Sequence, residues 1–241
     1  LLADARIAVI VPAYREERLL PRMLARVPTF VDAIYVVDDA SPDRTFDAAE
    51  RFRRARDPRV HPLRHAENRG VGAAIATGYR RALADGHDVL AVMAGDDQMH
   101  PDDLEPLVSA VLAGADYAKG NRFAHPDARR MPRARRLGGE LLSVVTRLAS
   151  GLHVGDSQCG FTALSARAAR TLPLSELWPR YGYPNDLLLL LAAHGLRVVE
   201  VPVRPVYADE ASGLRPWHVL SILGVIARRY ARVARSTISS A

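Results

Sequence analysis

Cysteine is nearly absent: Cys159 is the one thiol in 241 residues, which rules out an intrachain disulfide and a cysteine-based zinc site. A chain with a single thiol suits a reducing compartment. Aromatic residues make up only 6% of the sequence, too few for the stacking platforms that hold single-stranded nucleic acid, and no nucleic-acid motif is present. Nucleic acid is therefore not the expected partner. Long hydrophobic runs are missing as well. The longest uncharged apolar stretch near the C-terminus, Trp217 to Ala227, falls far short of the ~20 residues that span a bilayer. The N-terminus carries no signal-peptide pattern, and the missing initiator Met points to a trimmed chain. No repeat period or long low-complexity tract occurs, so disorder is expected only at the ends.

What remains is an ordinary globular composition, 49% hydrophobic and 25% charged, long enough to bury a sizeable core in one α/β domain. The formal net charge is +6. The cations are overwhelmingly arginine, whose planar fork suits phosphates, so phosphorylated small molecules or an anionic membrane are the expected partners.

The chain alternates strand and helix signals. Ile7 to Val11 is a continuous apolar run, as in a parallel strand covered on both faces. It leads into Pro12, Ala13, Tyr14, Arg15, Glu16 and Glu17, then a helix carrying Leu19, Leu20, Met23, Leu24 and Val27. Ala33 to Val37 is a second strand, followed by the loop Asp38 to Thr45 and a charged helix. Val60 to Arg64 reads as a third strand, and Gly70 and Gly72 open another helix. Val89 to Met93 is a buried strand that stops at Ala94, Gly95, Asp96, Asp97 and Gln98. Pro101, Asp102 and Asp103 start the next helix. Polar loops thus gather at the carboxyl ends of successive strands, where open α/β sheets bind ligands. A hard divalent cation in phosphate chemistry takes one or two carboxylates plus the substrate's phosphates, and Asp96 with Gln98 could supply that shell. An Asp pair after a strand also serves as a turn or helix cap.

Taken together, VPAYREE (Val11 to Glu17), VVDDASPDRT (Val36 to Thr45), ENRGVGAAIATG (Glu67 to Gly78) and MAGDDQMHPDDL (Met93 to Leu104) resemble the ordered motifs of family 2 glycosyltransferases with a GT-A fold. GNRF (Gly120 to Phe123), DSQCGF (Asp156 to Phe161), YGYPNDLL (Tyr181 to Leu188) and VVEVPV (Val198 to Val203) continue the resemblance, which covers roughly residues 7–207. Within the family the chain is most similar to dolichyl-phosphate mannose and glucose synthases and their bacterial polyprenyl-phosphate relatives.

The resemblance implies a single Rossmann-like GT-A domain over residues 1–215, a mostly parallel mixed sheet flanked by helices, and helical spacing adds a C-terminal amphipathic helix over 216–241. It implies an inverting transfer of mannose or glucose from GDP-mannose or UDP-glucose to polyprenyl phosphate, at the cytoplasmic face of the membrane. Pro12, Ala13, Tyr14 and Glu16 would line the donor's base and ribose, and Asp39 would hydrogen-bond one of them. Asp96 matches the second acidic residue of the family's DxD motif, with Ala94 where the first Asp usually stands, and would hold Mg2+ or Mn2+ with Gln98. Asp96, Asp156 and Asp186 are the catalytic candidates. Arg122 would meet a phosphate of donor or acceptor, with Arg133 and Gln158 on the acceptor side. Cys159 reads as a packed residue rather than a nucleophile.

Arg129, Arg130, Arg133, Arg135 and Arg136 form a basic segment, read as an exposed mobile loop or as a flexible arm for anionic headgroups. From Pro216 onward, Val219, Ile222, Leu223, Ile226, Tyr230 and Val233 recur at helical spacing among Arg228, Arg229, Arg232 and Arg235. That pattern fits an interfacial helix on an anionic membrane and equally a helix docked on the protein's own core. Two other readings stay open: transfer to a soluble hydroxyl acceptor, with Asp186 as general base, and a nucleotide-sugar-binding protein that has lost catalysis.

Overall fold

The computed structural model describes residues 4–206 and 216–239, without the side chains of residues 130, 134, 135, 216–218 and 233–239. The apolar runs Ile7 to Val11, Ala33 to Val37 and Val89 to Met93 become strands, and the amphipathic segments between them become covering helices. β1 (Ile7–Ala13) precedes the short α1 (Leu20–Leu24), β2 (Ala33–Asp38) precedes α2 (Thr45–Ala55), and β3 (Val60–Arg64) precedes α3 (Val71–Ala84). β4 (Val89–Val92) leads through a 3₁₀ turn at Pro101–Asp103 into α4 (Leu104–Leu112), and β5 (Tyr117–Asn121) leads to α5 (Arg133–Ser150). β6 (Thr162–Ser165), α6 (Ala166–Thr171), α7 (Tyr183–Ala193), β7 (Val198–Pro202) and α8 (Pro216–Ser239) complete the order.

The strands form one sheet in the order β3-β2-β1-β4-β6-β5-β7. β1 to β4 are mutually parallel, β6 is antiparallel to β4 and β5, and β7 is parallel to β5. This is the mixed, mostly parallel sheet that the resemblance implies. Strand placement reverses at β1, with β2 on one side and β4 on the other, and that switch opens a crevice at the carboxyl ends.

Alternation along β1 divides the core. Ile7, Val9 and Val11 meet Leu20, Met23, Leu107 and Val108 from α1 and α4 on one face. Ala8 and Ile10 meet Ile75 and Tyr79 of α3 and Leu187 and Leu191 of α7 on the other. Burying each of these Val, Leu, Ile and Met side chains contributes about 1.5–3 kcal/mol, which is why both faces need helices. A third cluster joins α5, α7 and α8 through Leu142, Leu189, Ile222 and Ile226.

The basic segment differs from the expected loop or arm. Residues Pro126–Arg130 form a 3₁₀ turn, and Arg133 begins the 18-residue α5. Leu142, Val145 and Ala149 recur at helical spacing against α7 and α8. Once that face is docked, each further turn adds hydrogen bonds at little entropic cost, and the helix runs back to Pro132. α1 is likewise shorter than the Leu19–Val27 pattern suggested. α8 docks Ile222, Val225 and Ile226 on the protein's own core. The expected division at 215/216 adjoins residues 207–215, and the side chains of Val233 and Arg235 are also outside the described residues.

Candidate active site

Three neighbouring loops follow β2, β1 and β4 at the switch point, and each contains a non-glycine residue in the left-handed region: Ala40 (φ 56), Arg15 (φ 62) and Asp97 (φ 57). Such conformations persist only where surrounding contacts impose them. For the β1 and β2 loops the SPDRT segment supplies those contacts. The Ser41 hydroxyl accepts from Arg15 N–H at 3.1 Å and the Thr45 hydroxyl from Glu16 N–H at 2.8 Å. Asp38, fully buried, accepts from Ser41 N–H at 3.2 Å and meets Arg64, which makes it part of the turn.

A cleft of about 480 Å³ lies over these loops, within the range of small-molecule sites. Pro12, Ala13, Tyr14, Glu16, Asp39 and Asp96 all line it. Asn68, Gly70, Val71, Arg180 and Tyr181 line it too. Sequence reasoning missed Arg180 and Tyr181, although Tyr181 opens the YGYPNDLL motif. Their segment reaches the cleft because Pro179 O accepts from Gly72 N–H at 2.8 Å. A Cβ at position 72 would stand 2.1 Å from Trp178 O, so the close approach requires glycine. Asp39, 3% exposed, accepts from Gly70 N–H at 2.7 Å and Arg69 N–H at 2.9 Å and pairs with His65 Nδ1 at 2.7 Å. It ties the β2 loop to the start of α3, and of its roughly four acceptor positions at least one is left for a ligand.

Asp96 and Asp97 diverge. The Asp97 carboxylate is held by Arg22 at 2.9 Å and Arg26 at 2.7 Å, on the α1 side. Asp96 instead lines the large cleft and also a smaller one of about 80 Å³, with Gln98, Arg122, Gly160 and Arg204. Among the described residues no cluster of three or more His, Cys, Asp or Glu side chains could hold a metal unaided. One carboxylate and one amide on the edge of a diphosphate-sized cleft fit a Mg2+ or Mn2+ whose other ligands come with the substrate.

Arg122 is set by Asp156, which accepts from its Nε at 2.7 Å and Nη2 at 3.0 Å. Burial pushes the Asp156 carboxyl up, but Arg122 and Lys119 outweigh it and hold the group below the usual carboxylate range. Lys119, the only lysine in the sequence, is fully buried and donates at 2.6 Å to the backbone O of Cys159, a residue that lines the small cleft. Burial lowers its pKa. The sequence reading passed over it, because nothing in a strand pattern announces a buried lysine. Cys159 is packed and buried, as expected.

The remaining candidates lie apart from the two clefts. Gln158 donates its amide to Ser157 Oγ and Asn185 Oδ1, both at 2.9 Å, within a polar network between α5 and α7. Arg133 is exposed at the start of α5. Asp186 is 3% exposed, accepts from Arg229 Nε at 2.7 Å and Nη2 at 2.9 Å, and accepts from Trp178 N–H at 2.8 Å.

The family model described as "Glycosyl transferase family 2" matches residues 8–171. An undecaprenyl-phosphate mannosyltransferase of Micrococcus luteus is 36% identical over 203 residues, 82% of this chain and 82% of its own. A UDP-N-acetylglucosamine–dolichyl-phosphate N-acetylglucosaminyltransferase of Methanococcus voltae is 28% identical over 222 residues, 86% of this chain and 88% of its own. Glucosyl-3-phosphoglycerate synthase of Mycobacterium tuberculosis, solved with Mn2+ and UDP-glucose, superposes with a TM-score of 0.72 at 20% identity, covering 95% of this chain and 80% of that one.

Proposed function

Because the chain belongs to glycosyl transferase family 2, we propose that it moves a hexose from a nucleoside diphosphate sugar to polyprenyl phosphate, inverting the anomeric carbon. The observation that carries this reading is the position of Asp96, on the wall shared by a nucleotide-sized cleft and a smaller one fronted by Arg122 and Arg204. Donor and acceptor phosphates would meet across it. Two relatives of comparable coverage are named for undecaprenyl or dolichyl phosphate, yet for different sugars, so the acceptor class is the better supported half. GDP-mannose and UDP-glucose are the donors to test first.

Pro12, Ala13, Tyr14 and Glu16 line the base and ribose end, and Asp39 accepts from a base N–H or a ribose hydroxyl. Asp96 and Gln98 would hold Mg2+ or Mn2+, which when bound stabilises the leaving diphosphate. Arg122, aimed by Asp156, and Arg204 attract the acceptor phosphate. A phosphate monoester with a second pKa near ~6 is already largely ionised at neutral pH, so the attacking oxygen needs no strong base. The engagement of Asp156 and Asp186 by arginines supports this reading, in which both carboxylates position other groups.

The same acceptor calls for peripheral contact with the cytoplasmic face of a membrane. No helix among the described residues is long and apolar enough to cross one. α5 offers the contact: Leu137, Leu141, Val144 and Leu148 share one face and are 70%, 59%, 38% and 81% exposed. Arg133, Arg136 and Arg147 flank them on the same helix.

The test incubates the protein with Mn2+ or Mg2+ and a panel of nucleotide sugars, with and without a short polyprenyl phosphate. Nucleoside diphosphate and glycolipid are followed by mass spectrometry, and anomeric configuration by NMR. One donor giving a lipid-dependent, inverted product is expected. Retention of configuration would sink the mechanism, and turnover on soluble acceptors alone would sink the acceptor.

A further inference from the structure

A cavity of about 440 Å³ lies between α3, the segment 174–179 and α8, and shares no lining residue with either cleft of the transferase site. Five arginines line it: Arg69 and Arg80 from the α3 side, and Arg228, Arg229 and Arg232 from α8. Two carboxylates oppose them. Asp186 is taken by Arg229, and Glu176 is shared between Arg229 at 3.5 Å and Arg232 at 3.8 Å. Among the described residues no carboxylate lies within ion-pair distance of Arg69, Arg80 or Arg228. Arg80 donates to the Thr77 hydroxyl at 3.3 Å, and Arg228 lies 5.4 Å from the Trp178 ring centroid.

We infer that this cavity is a second anion-binding site, taking an organic phosphate or diphosphate. Guanidinium groups around one concavity repel each other, and a bound polyanion relieves that repulsion while accepting bidentate hydrogen bonds. Leu174, Leu177, Val225 and the Trp178 indole add apolar surface for the group that carries the phosphate. The site does not depend on which acceptor the transferase uses.

Trp178 is the natural reporter, because an anion that draws on Arg228 changes the surroundings of the indole. The sequence has two tryptophans, so the Trp217→Phe protein isolates the signal. Inorganic pyrophosphate and geranyl diphosphate are titrated in EDTA at constant ionic strength. A saturable fluorescence change is expected, weakened about tenfold or more in Arg80→Ala and in Arg228→Ala and retained in the donor-cleft variant Tyr14→Ala. Tighter binding of geranyl diphosphate would assign a lipid source, and equal binding a soluble phosphate. Saturation by neither probe, indifference to both arginine substitutions, or loss in Tyr14→Ala would overturn the proposal. Circular dichroism confirms that each variant is folded.

Discussion

One backbone torsion separates two adjacent carboxylates. Asp97, at φ 57, is turned onto Arg22 and Arg26, leaving Asp96 as the acidic residue of its loop that lines the clefts. Asp96→Ala should therefore lower transfer by about 10²–10³-fold, the scale of losing one preorganised electrostatic contact. Asp97→Asn should leave turnover within a few-fold and cost about 1 kcal/mol or less in stability, since both arginine partners keep access to solvent. Nucleoside diphosphate release and thermal melting separate the two. Lys119 gives a pH signature. Its folded pKa lies below the unfolded 10.5, so the unfolded chain binds the extra proton between those values and stability rises with pH across that window. Compared with Lys119→Met, the wild-type melting temperature should gain as pH approaches 10.5. A constant difference between the two would contradict the burial of a charged amine.

At the scale of elements, α8 reaches the cleft of about 480 Å³ without lining it. Arg229 on α8 grips Asp186 on α7, Asp186 accepts from Trp178 N–H, and the next residues run past α3 into the cleft wall at Arg180 and Tyr181. Arg229→Ala would leave a buried carboxylate unpaired, at a cost of about 3 kcal/mol. In a chain of this size that lowers the melting temperature by roughly 6–12 °C. Donor affinity, read by calorimetry with UDP and GDP, should weaken as well. Asp186→Asn tests the acceptor: with a lipid phosphate, substantial turnover survives. Near-abolition with intact donor affinity would instead make Asp186 the base for a hydroxyl acceptor.

For the whole molecule, the formal charge of +6 and the exposed leucines of α5 act together. Sedimentation with phosphatidylglycerol vesicles should exceed that with neutral vesicles and fall as salt rises, because screening shortens the reach of the arginines. Leu141→Asp with Leu148→Asp should reduce vesicle binding severalfold and leave metal-dependent donor hydrolysis unchanged. Equal sedimentation of wild type and variant would reject α5 as the contact. EDTA should abolish transfer and added Mn2+ or Mg2+ restore it, as measured by glycolipid formation.

Local chemistry by itself determined the first four strands and the gathering of polar loops at their carboxyl ends, and the family resemblance added which loop residues, from Pro12 to Asp96, line the cleft. Those signals, apolar runs ended by small and acidic residues, lie within a few positions of one another. Tertiary structure alone decided the rest. Docking against α7 and α8 turned the expected basic loop into α5. A glycine-permitted contact 2.1 Å from a would-be Cβ brought Arg180 and Tyr181 beside Gly70. Long-range pairing placed Asp186 with Arg229 and Asp156 with Arg122. Residues distant in sequence meet only when packing closes the loops between them, and a carboxylate's role depends on which arginine is there when they do.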